Sequence, residues 1–282
     1  MTMIHRLYKN NKIKIGVFSL VILILFLIVA SHFTPYTFNE QIRGSELAPP
    51  SAQHLMGVDA LGRDLFIRLI VGLSISLGIA FIASVVNLSI GLIYGTISGY
   101  VGGAVDMVMM RIADIITSIP EILYLILIMI FLRNTSIIND TYGLIGISIT
   151  LGVAFWIPFA RILRSQILTI KTKDFVTSAR AYGASDTRIV VKYILPNCIP
   201  LMLITLVSRI PVAIFFEAFL SFVGLGVQPP LPSLGSLLAD GLGSLTSAPY
   251  LLLYPAFSIM VVILIFNIIT DGLRDVFDNR NI

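Results

Sequence analysis

The chain has 282 residues, of which 57% are hydrophobic and only 12% are charged, and its formal net charge is +4. Soluble globular domains carry about 25% charged residues, so this composition excludes an ordinary soluble protein and indicates an integral membrane protein. The basic residues are scattered and form no aromatic-studded patch, which argues against a nucleic-acid-binding surface. The single cysteine, Cys198, has no partner for an internal disulfide or a zinc site.

Several apolar runs are long enough to cross a membrane, since a helix needs about 20 residues to span the hydrocarbon core. The first run follows a basic start and has no small-residue cleavage site, which favours an uncleaved span over a secretory signal. The sequence therefore predicts an all-α, polytopic membrane protein with about six transmembrane helices. The predicted spans lie near residues 14–33, 70–98, 107–132, 142–164, 198–223 and 250–270.

The positions of lysine and arginine predict the orientation, because positive residues near span ends stay cytoplasmic. With the N-terminus inside, most of the 19 lysines and arginines fall on the cytoplasmic side. Both termini are then cytoplasmic, and residues 34–68 and 225–249 are external. We divide the chain into residues 1–69, which hold the first span and an external segment, and residues 70–282, a five-span core.

Glycine and proline mark special points within the spans. Gly91, Gly95 and Gly99 of the second span recur every four residues, which clears one helix face for a neighbouring helix. This favours packing inside the bundle, and a pore-lining role is the alternative. Pro158 in the fourth span and Pro211 in the fifth remove backbone hydrogen bonds and permit kinks.

A charged, glycine-broken stretch, DFVTSARAYGASDTRIVVKYILPN, separates the fourth and fifth spans on the cytoplasmic side. Gly183 stands where a left-handed C-cap would end a first short helix. Ser185 or Asp186 can cap a second helix running to Leu195. Pro196 ends that helix or marks the entry to the fifth span. The pattern predicts two short helices joined by a sharp corner.

The first of these helices is amphipathic. At 100° per residue its smaller, partly apolar face holds Phe175, Ser178, Ala179 and Tyr182. One interpretation is a helix lying on the lipid surface, with its basic residues on anionic headgroups. The other is a docking element for a soluble partner. The residues alone leave both open.

The same stretch resembles the cytoplasmic loop signature of ATP-binding-cassette importer permeases. That signature runs Glu-Ala-Ala, three residues, Gly, and about nine residues before a Leu-Pro-Asn ending. Thr177 and Ser178 replace its first two residues, so any ion pair of the family's glutamate is missing. The matching positions are Ala179, Gly183, Leu195, Pro196 and Asn197.

Two further stretches resemble the peptide and nickel importer permeases of that family. MGVDALGRDLFIRLIVGLSISLGIA, residues 56–80, is similar to the sequence leading into their second span, with Val58 in place of a threonine. EAFLSFVGLGVQPPLPSLGSLL, residues 217–238, is similar to the segment closing their fifth span. Three motifs in the family's order extend the resemblance over nearly the whole chain.

The resemblance implies a type I importer permease fold with coupling helices at about residues 174–196. Those helices would sit in a groove of a cytoplasmic ATPase subunit and transmit its closure to the spans. The resemblance carries this role to Ala179, Gly183, Pro196 and Asn197. Arg180 and Asp186 are added as polar contacts by their position alone.

The resemblance also implies the partners: a second homologous permease, one or two ATPase subunits and an external substrate-binding protein, in a prokaryotic cell membrane. The chain has no G-x-x-x-x-G-K-[ST] loop, so ATP and Mg²⁺ are expected on the ATPase subunits and no cofactor on this chain. The expected cargo is a dipeptide or oligopeptide, with nickel or a metal chelate as the alternative. Outside this family, an ion-coupled transporter or a transport-free membrane anchor remains to be tested.

Five ionisable residues fall within the predicted spans, where charges are costly and often functional. Asp106 and Asp114 lie near the cytoplasmic end of the third span, where pairing or snorkelling explains them, and Glu121 lies further along it. Arg209 and Glu217 lie deeper in the fifth span, and we predict that they face the translocation path. Structural contacts with other helices are the alternative. The histidines are dispersed, so neither a catalytic residue nor a metal site is expected.

Overall fold

The computed structural model describes residue 7, residues 9–133 and residues 141–277 of the chain. Within these ranges the regular structure is helical, and no β-strand is present. A five-residue π-helical turn, Val190–Ile194, leads into the helix that begins at Leu195. The helices are α1 (Asn11–Ala30), α2 (Leu65–Val101), α3 (Gly103–Thr117), α4 (Glu121–Arg133), α5 (Leu144–Ala154), α6 (Trp156–Ile170), α7 (Asp174–Ala181), α8 (Asp186–Ile189), α9 (Leu195–Phe222), α10 (Leu234–Gly243) and α11 (Tyr250–Phe277).

Four helical segments in the described ranges are long and apolar enough to cross a membrane. They are α1, α2, the run Asp186–Phe222 and α11. The number rises to six if each of two bent helix pairs counts as one span, which confirms the predicted all-α fold with about six spans. The external segment 225–249 contains a ten-residue helix, α10, between its glycines and prolines.

The predicted third span is not one straight helix, because α3 and α4 meet at an angle of 88°. The break falls immediately before Pro120, which has no N–H for a helical hydrogen bond and disfavours helical backbone at the residue before it. The hydroxyls of Thr117 and Ser118 donate to the carbonyls of Ala113 and Ile115, which occupies acceptors at the end of α3. The sharp bend therefore has a local cause in the sequence.

The fourth span also consists of two helices, α5 and α6, bent by 41° at Phe155. Pro158 cannot donate to the carbonyl of Ala154, four residues earlier. The hydroxyl of Tyr124, on α4, donates to that carbonyl instead, at 3.0 Å. The predicted kink at Pro158 is confirmed, and α4 provides the group that satisfies the freed acceptor.

The three spaced glycines of α2 lie against α6. A Cβ atom added at Gly91 would lie 2.6 Å from the ring of Phe159, and one added at Gly95 would lie 2.6 Å from the carbonyl oxygen of Ala160. At Gly99 the carbonyl oxygen of Arg164 would be 3.0 Å away. These distances confirm close helix packing, rather than pore lining, as the role of the repeat.

The first helix packs against the last. Gly16 of α1 faces Ile269 of α11, and a Cβ atom at Gly16 would lie 2.5 Å from that side chain. Lys12 and Asp275 form an ion pair at 2.8 Å near the cytoplasmic ends of the two helices. The opposite side of α1 exposes large apolar residues such as Phe18, as expected for a lipid-facing surface. The division of the chain at residue 69 stays a prediction. That boundary falls inside α2, which begins at Leu65.

Candidate functional site

The cytoplasmic corner between the fourth and fifth spans is a Schellman motif. Gly183 has φ +77°, the left-handed conformation predicted for it. The N–H of Gly183 donates to the carbonyl of Arg180, and the N–H of Ala184 donates to that of Ala179, both at 3.0 Å. These two bonds satisfy carbonyls at the end of α7 and set the direction in which the chain leaves it.

The second half of the corner continues into the membrane. α8 covers only Asp186–Ile189, and the π-helical turn then leads without interruption into α9. Pro196 therefore marks the entry to the fifth span and does not end a helix. Asn197 stabilises this junction, because its side-chain amide donates to the carbonyl of Tyr193 at 2.7 Å. The corner and the fifth span consequently form one continuous helical element.

The predicted shared face of α7 is divided in the structure. Ala179 lies inward beside Val176, which is completely buried next to the cytoplasmic half of α6. Phe175 and Tyr182 point outward, with exposed fractions of 44% and 92%. The expectation that Phe175, Ala179 and Tyr182 form one face is wrong, because burial of Val176 rotates α7. Phe175 and Tyr182 still form an outward aromatic surface, while the exposed Arg180 lies on another side of the helix, where it acts electrostatically on Tyr100 of α2.

Polar side chains attach the corner to the cytoplasmic end of α2. The hydroxyl of Tyr100 donates to the carboxylate of Asp186. The ammonium group of Lys171, just after α6, donates to the carbonyl of Gly99 at 2.9 Å. Asp186 therefore has a partner inside this chain. Sequence reasoning missed this contact because 86 positions separate its two residues.

Removal of the Tyr100 hydroxyl should loosen the corner. In Tyr100→Phe the ring remains but Asp186 loses its donor, and a hydrogen bond of this kind contributes about 1 kcal/mol, or about fivefold in an opening equilibrium. We expect backbone amides of the π-helical turn to exchange hydrogen about fivefold faster, measured by mass spectrometry of the reconstituted chain. Tyr182→Phe is the matched control, since Tyr182 is almost fully exposed. Equal exchange in both variants would contradict the attachment.

The acids near the cytoplasmic end of the third span are paired with arginines of α6. Asp106 accepts two hydrogen bonds from the guanidinium of Arg164 and one from the hydroxyl of Ser98. Asp114 pairs with Arg161 at 2.7 Å. The expectation of pairing is confirmed, and these contacts join α3 to α6.

Glu217 is completely buried where α2, α9 and α10 meet. Its carboxylate accepts hydrogen bonds from Ser76 at 3.0 Å and from Ser221 at 2.9 Å. The hydroxyl of Ser76 also accepts from the N–H of Leu234, the first residue of α10. Glu217 thus holds α10 against α2 and α9. This is a structural contact between helices, the alternative to a position facing the translocation path.

Arg209 is half-buried near the middle of α9. Among the described residues it has no ion pair, and Glu121, the first residue of α4, is the acid that acts on it electrostatically. Arg209 and Glu217 do not contact each other, as expected from their separation along the helix. A small cavity lies between Arg209 and the buried Asn87 of α2.

The external side carries a network of arginines and aspartates that the sequence motifs did not predict. Asp59 accepts from Arg63 at 2.7 Å, while Arg63 and Arg68 both approach Asp240 of α10, at 3.6 and 3.4 Å. Burial raises the pKa of the Asp240 carboxyl, and the two arginines oppose this effect. The network ties the segment 34–68 to α10, and a recess of about 120 Å³ lies beside it.

Residues 91–282 match a protein family described as "binding-protein-dependent transport system inner membrane component". The oligopeptide transport system permease protein OppC of Bacillus subtilis is 41% identical over 97% of this chain and 87% of its own length. The dipeptide permease DppC of the same organism is 37% identical, over 98% and 84% of the two chains. OppC of Escherichia coli K12 is 38% identical, over 98% and 90%.

A solved structure of the MetNI methionine ABC transporter in an inward-facing conformation has a similar fold. One of its chains superimposes with a TM-score of 0.59 and 23% sequence identity. The superposition covers 74% of this chain and 94% of that one. At this level of identity the likeness concerns the fold alone.

Proposed function

The chain belongs to the family of binding-protein-dependent transport system inner membrane components, and we propose that it carries dipeptides or oligopeptides across the membrane. It is a multi-pass inner-membrane permease of the ATP-binding-cassette type. The observation that supports peptide cargo is 37–41% identity to three permeases named for oligopeptides or dipeptides, over nearly the whole chain. Nickel or a metal chelate is the less supported cargo.

In this proposal the chain forms the translocation path together with a second, homologous permease. An external substrate-binding protein delivers the peptide to the side that carries α10 and residues 34–68. One or two cytoplasmic ATPase subunits bind ATP and Mg²⁺ and supply the energy, since this chain has no phosphate-binding loop of the usual kind.

The cytoplasmic corner is the proposed contact with the ATPase. Ala179 and Gly183 hold its shape, Phe175 and Tyr182 provide an outward aromatic surface, and Arg180 is an exposed cation on another side of α7. The exposed aromatic pair supports docking to a protein, because aromatic residues and arginine are enriched at such interfaces. The Schellman motif supports a rigid element that transmits displacement without bending.

The remaining coupling residues connect the corner to the spans in this proposal. Asp186 accepts a hydrogen bond from the hydroxyl of Tyr100, so it links the corner to α2, and its exposed carboxylate is also the proposed polar contact with the ATPase. Pro196 and Asn197 form the junction with α9, through which movement of the corner reaches the fifth span. Displacement of the corner would thus reach both α2 and α9.

Purification through a tag on this chain, followed by native mass spectrometry, tests the proposal. We expect a complex with a second permease and ATPase subunits, and ATP-dependent peptide uptake after reconstitution with the binding protein. If the binding protein carried a mass that matches nickel or a metal chelate, the cargo would be assigned as a metal and not as a peptide. Uptake that persists without ATP but stops with an ionophore would refute the ATP-driven mechanism.

A further inference from the structure

A polar cluster lies deep inside the helix bundle. Asn87 of α2 is only 2% exposed, and neither its amide nitrogen nor its amide oxygen has a hydrogen-bond partner among the described residues. A buried amide without a partner is rare and costly, so it calls for a ligand or a functional role. Asn87 borders a cavity of about 10 Å³, enough for about one water molecule.

Arg209 of α9 borders the same cavity. Its guanidinium makes no ion pair or hydrogen bond with any residue that the structure describes, although it lies near the middle of a 28-residue membrane helix. A charge at this depth is expensive and normally has a counter-ion or faces water. Snorkelling is a poor explanation, because about 20 Å of helix separates Arg209 from either end of α9.

The backbone is interrupted beside the same cavity. Phe155, at the 41° bend between α5 and α6, borders it together with Asn87 and Arg209. Asn87 lies 14 residues, or about 21 Å of helix, from the cytoplasmic end of α2 at Val101, so the cavity lies deep in the bundle.

Membrane transporters hold substrates where a span is broken next to polar groups, and irregular backbone is tolerated at membrane depth only beside protein or a water-filled cavity. The polar groups around this cavity are a cation and an amide that can donate hydrogen bonds. A guanidinium binds a carboxylate through two parallel hydrogen bonds, and an amide can add a third directly or through water.

We propose that Arg209 binds the C-terminal carboxylate of a peptide in transit, and that Asn87, whose amide has no partner among the described residues, adds a hydrogen bond to that carboxylate directly or through a water molecule. This inference rests on the proposed peptide-transport function. A free linear peptide carries its terminal carboxylate whatever its side chains are. One fixed cation therefore suits a path that must accept many sequences.

The test compares two forms of one peptide in proteoliposomes that contain the complete transport complex and its binding protein. The probes are a radiolabelled tripeptide with a free C-terminal carboxylate and the same tripeptide as its C-terminal amide, chosen so that the binding protein binds both. For each probe the ATP-dependent uptake rate of a variant is divided by that of the wild type. Selection by the binding protein cancels in this ratio, since that protein is unchanged.

In Arg209→Gln we expect uptake of the free acid to fall about tenfold and uptake of the amide to change by less than about twofold, as for loss of a charge-assisted bidentate contact. Asn87→Leu should lower free-acid uptake about threefold and spare the amide, because it removes only a supporting hydrogen bond. Arg209→Lys should retain part of the free-acid uptake. Arg111→Gln, at an exposed position of α3, is the charge-matched control and should change neither rate.

Three results would overturn the assignment. Equal losses for both probes would show that Arg209 has no preference for the carboxylate. Unchanged free-acid uptake in Arg209→Gln and Asn87→Leu would show that the cluster is not used. Loss of the second permease from purified Arg209→Gln would place the guanidinium in the subunit interface. Failure of the wild-type complex to import either probe would instead refute the proposed function.

Discussion

Replacement of Gly183 by valine is expected to abolish coupled uptake while the chain still inserts into the membrane. Gly183 has φ +77°, and a Cβ atom there would meet no other atom within 4 Å. The variant therefore causes no clash, and its whole effect comes from backbone strain, about 1–3 kcal/mol for a side-chain-bearing residue in this region. Valine is β-branched and tolerates this conformation especially poorly. The corner should relax into another shape and lose its fixed direction.

The measurement is the ratio of peptide uptake to ATP hydrolysis in the reconstituted complex, which we expect to fall at least about tenfold, since the corner's direction carries the coupling. Gly224→Val is the matched control. Gly224 has the same φ of +77° and equally open surroundings, but it follows α9 on the external side. Normal coupling in Gly183→Val, or the same loss in Gly224→Val, would refute the specific role of the cytoplasmic corner.

Replacement of Gly95 by leucine should prevent the bundle from forming. The added Cβ atom alone would lie 2.6 Å from the carbonyl oxygen of Ala160, and that oxygen belongs to helix backbone that cannot rotate away. Overpacking by even one or two methylene groups costs about 1–3 kcal/mol, and a leucine side chain has no space at this contact. α2 and α6 would have to separate along their whole shared face.

The matched control for this variant is Gly78→Leu in the same helix, where an added Cβ atom has no neighbour within 4 Å. The amount of each variant in purified membranes and its thermal aggregation temperature distinguish the two. We expect little folded Gly95→Leu and near wild-type Gly78→Leu. If Gly95→Leu accumulates and melts like the wild type, the close packing of α2 on α6 is not required for stability.

Local chemistry explains why several features could be predicted from the sequence. The glycine repeat, the left-handed Gly183 and the kink at Pro158 each depend on a residue whose backbone properties differ from those of all others. Their structural meaning is therefore readable without knowledge of neighbouring helices. The approximate positions of the spans follow in the same way from the length of apolar runs.

Contacts between distant segments could not be predicted in this way. Asp106 and Asp114 were placed near a cytoplasmic span end, but their partners Arg164 and Arg161 lie on another helix. The pairing of Arg68 with Asp240 joins residues 172 positions apart. Such pairs depend on how helices pack, and a single sequence contains no signal for that arrangement.

The orientation of α7 and the burial of Asn87 also depend on how the helices pack. A helical wheel placed Phe175 and Ala179 on one face, but the wheel cannot show that Val176 fills the space beside α6. Asn87 is an ordinary polar residue within an apolar run, and its isolation emerges only when neighbouring helices surround it without offering a partner. Arg209 and Glu217 were predicted to face the translocation path, and whether they do so or make structural contacts depends on packing in the same way.

The contact between α1 and α11 has a consequence for the order in which the protein is made. Of the described helices, α1 leaves the ribosome first, whereas the face of α11 that receives Gly16 and the Asp275 that pairs with Lys12 are synthesised after the other ten helices. α1 must therefore stay in the bilayer, held by its own apolar surface, until α11 has been translated. A nascent chain stalled before residue 250 would lack the partner of α1.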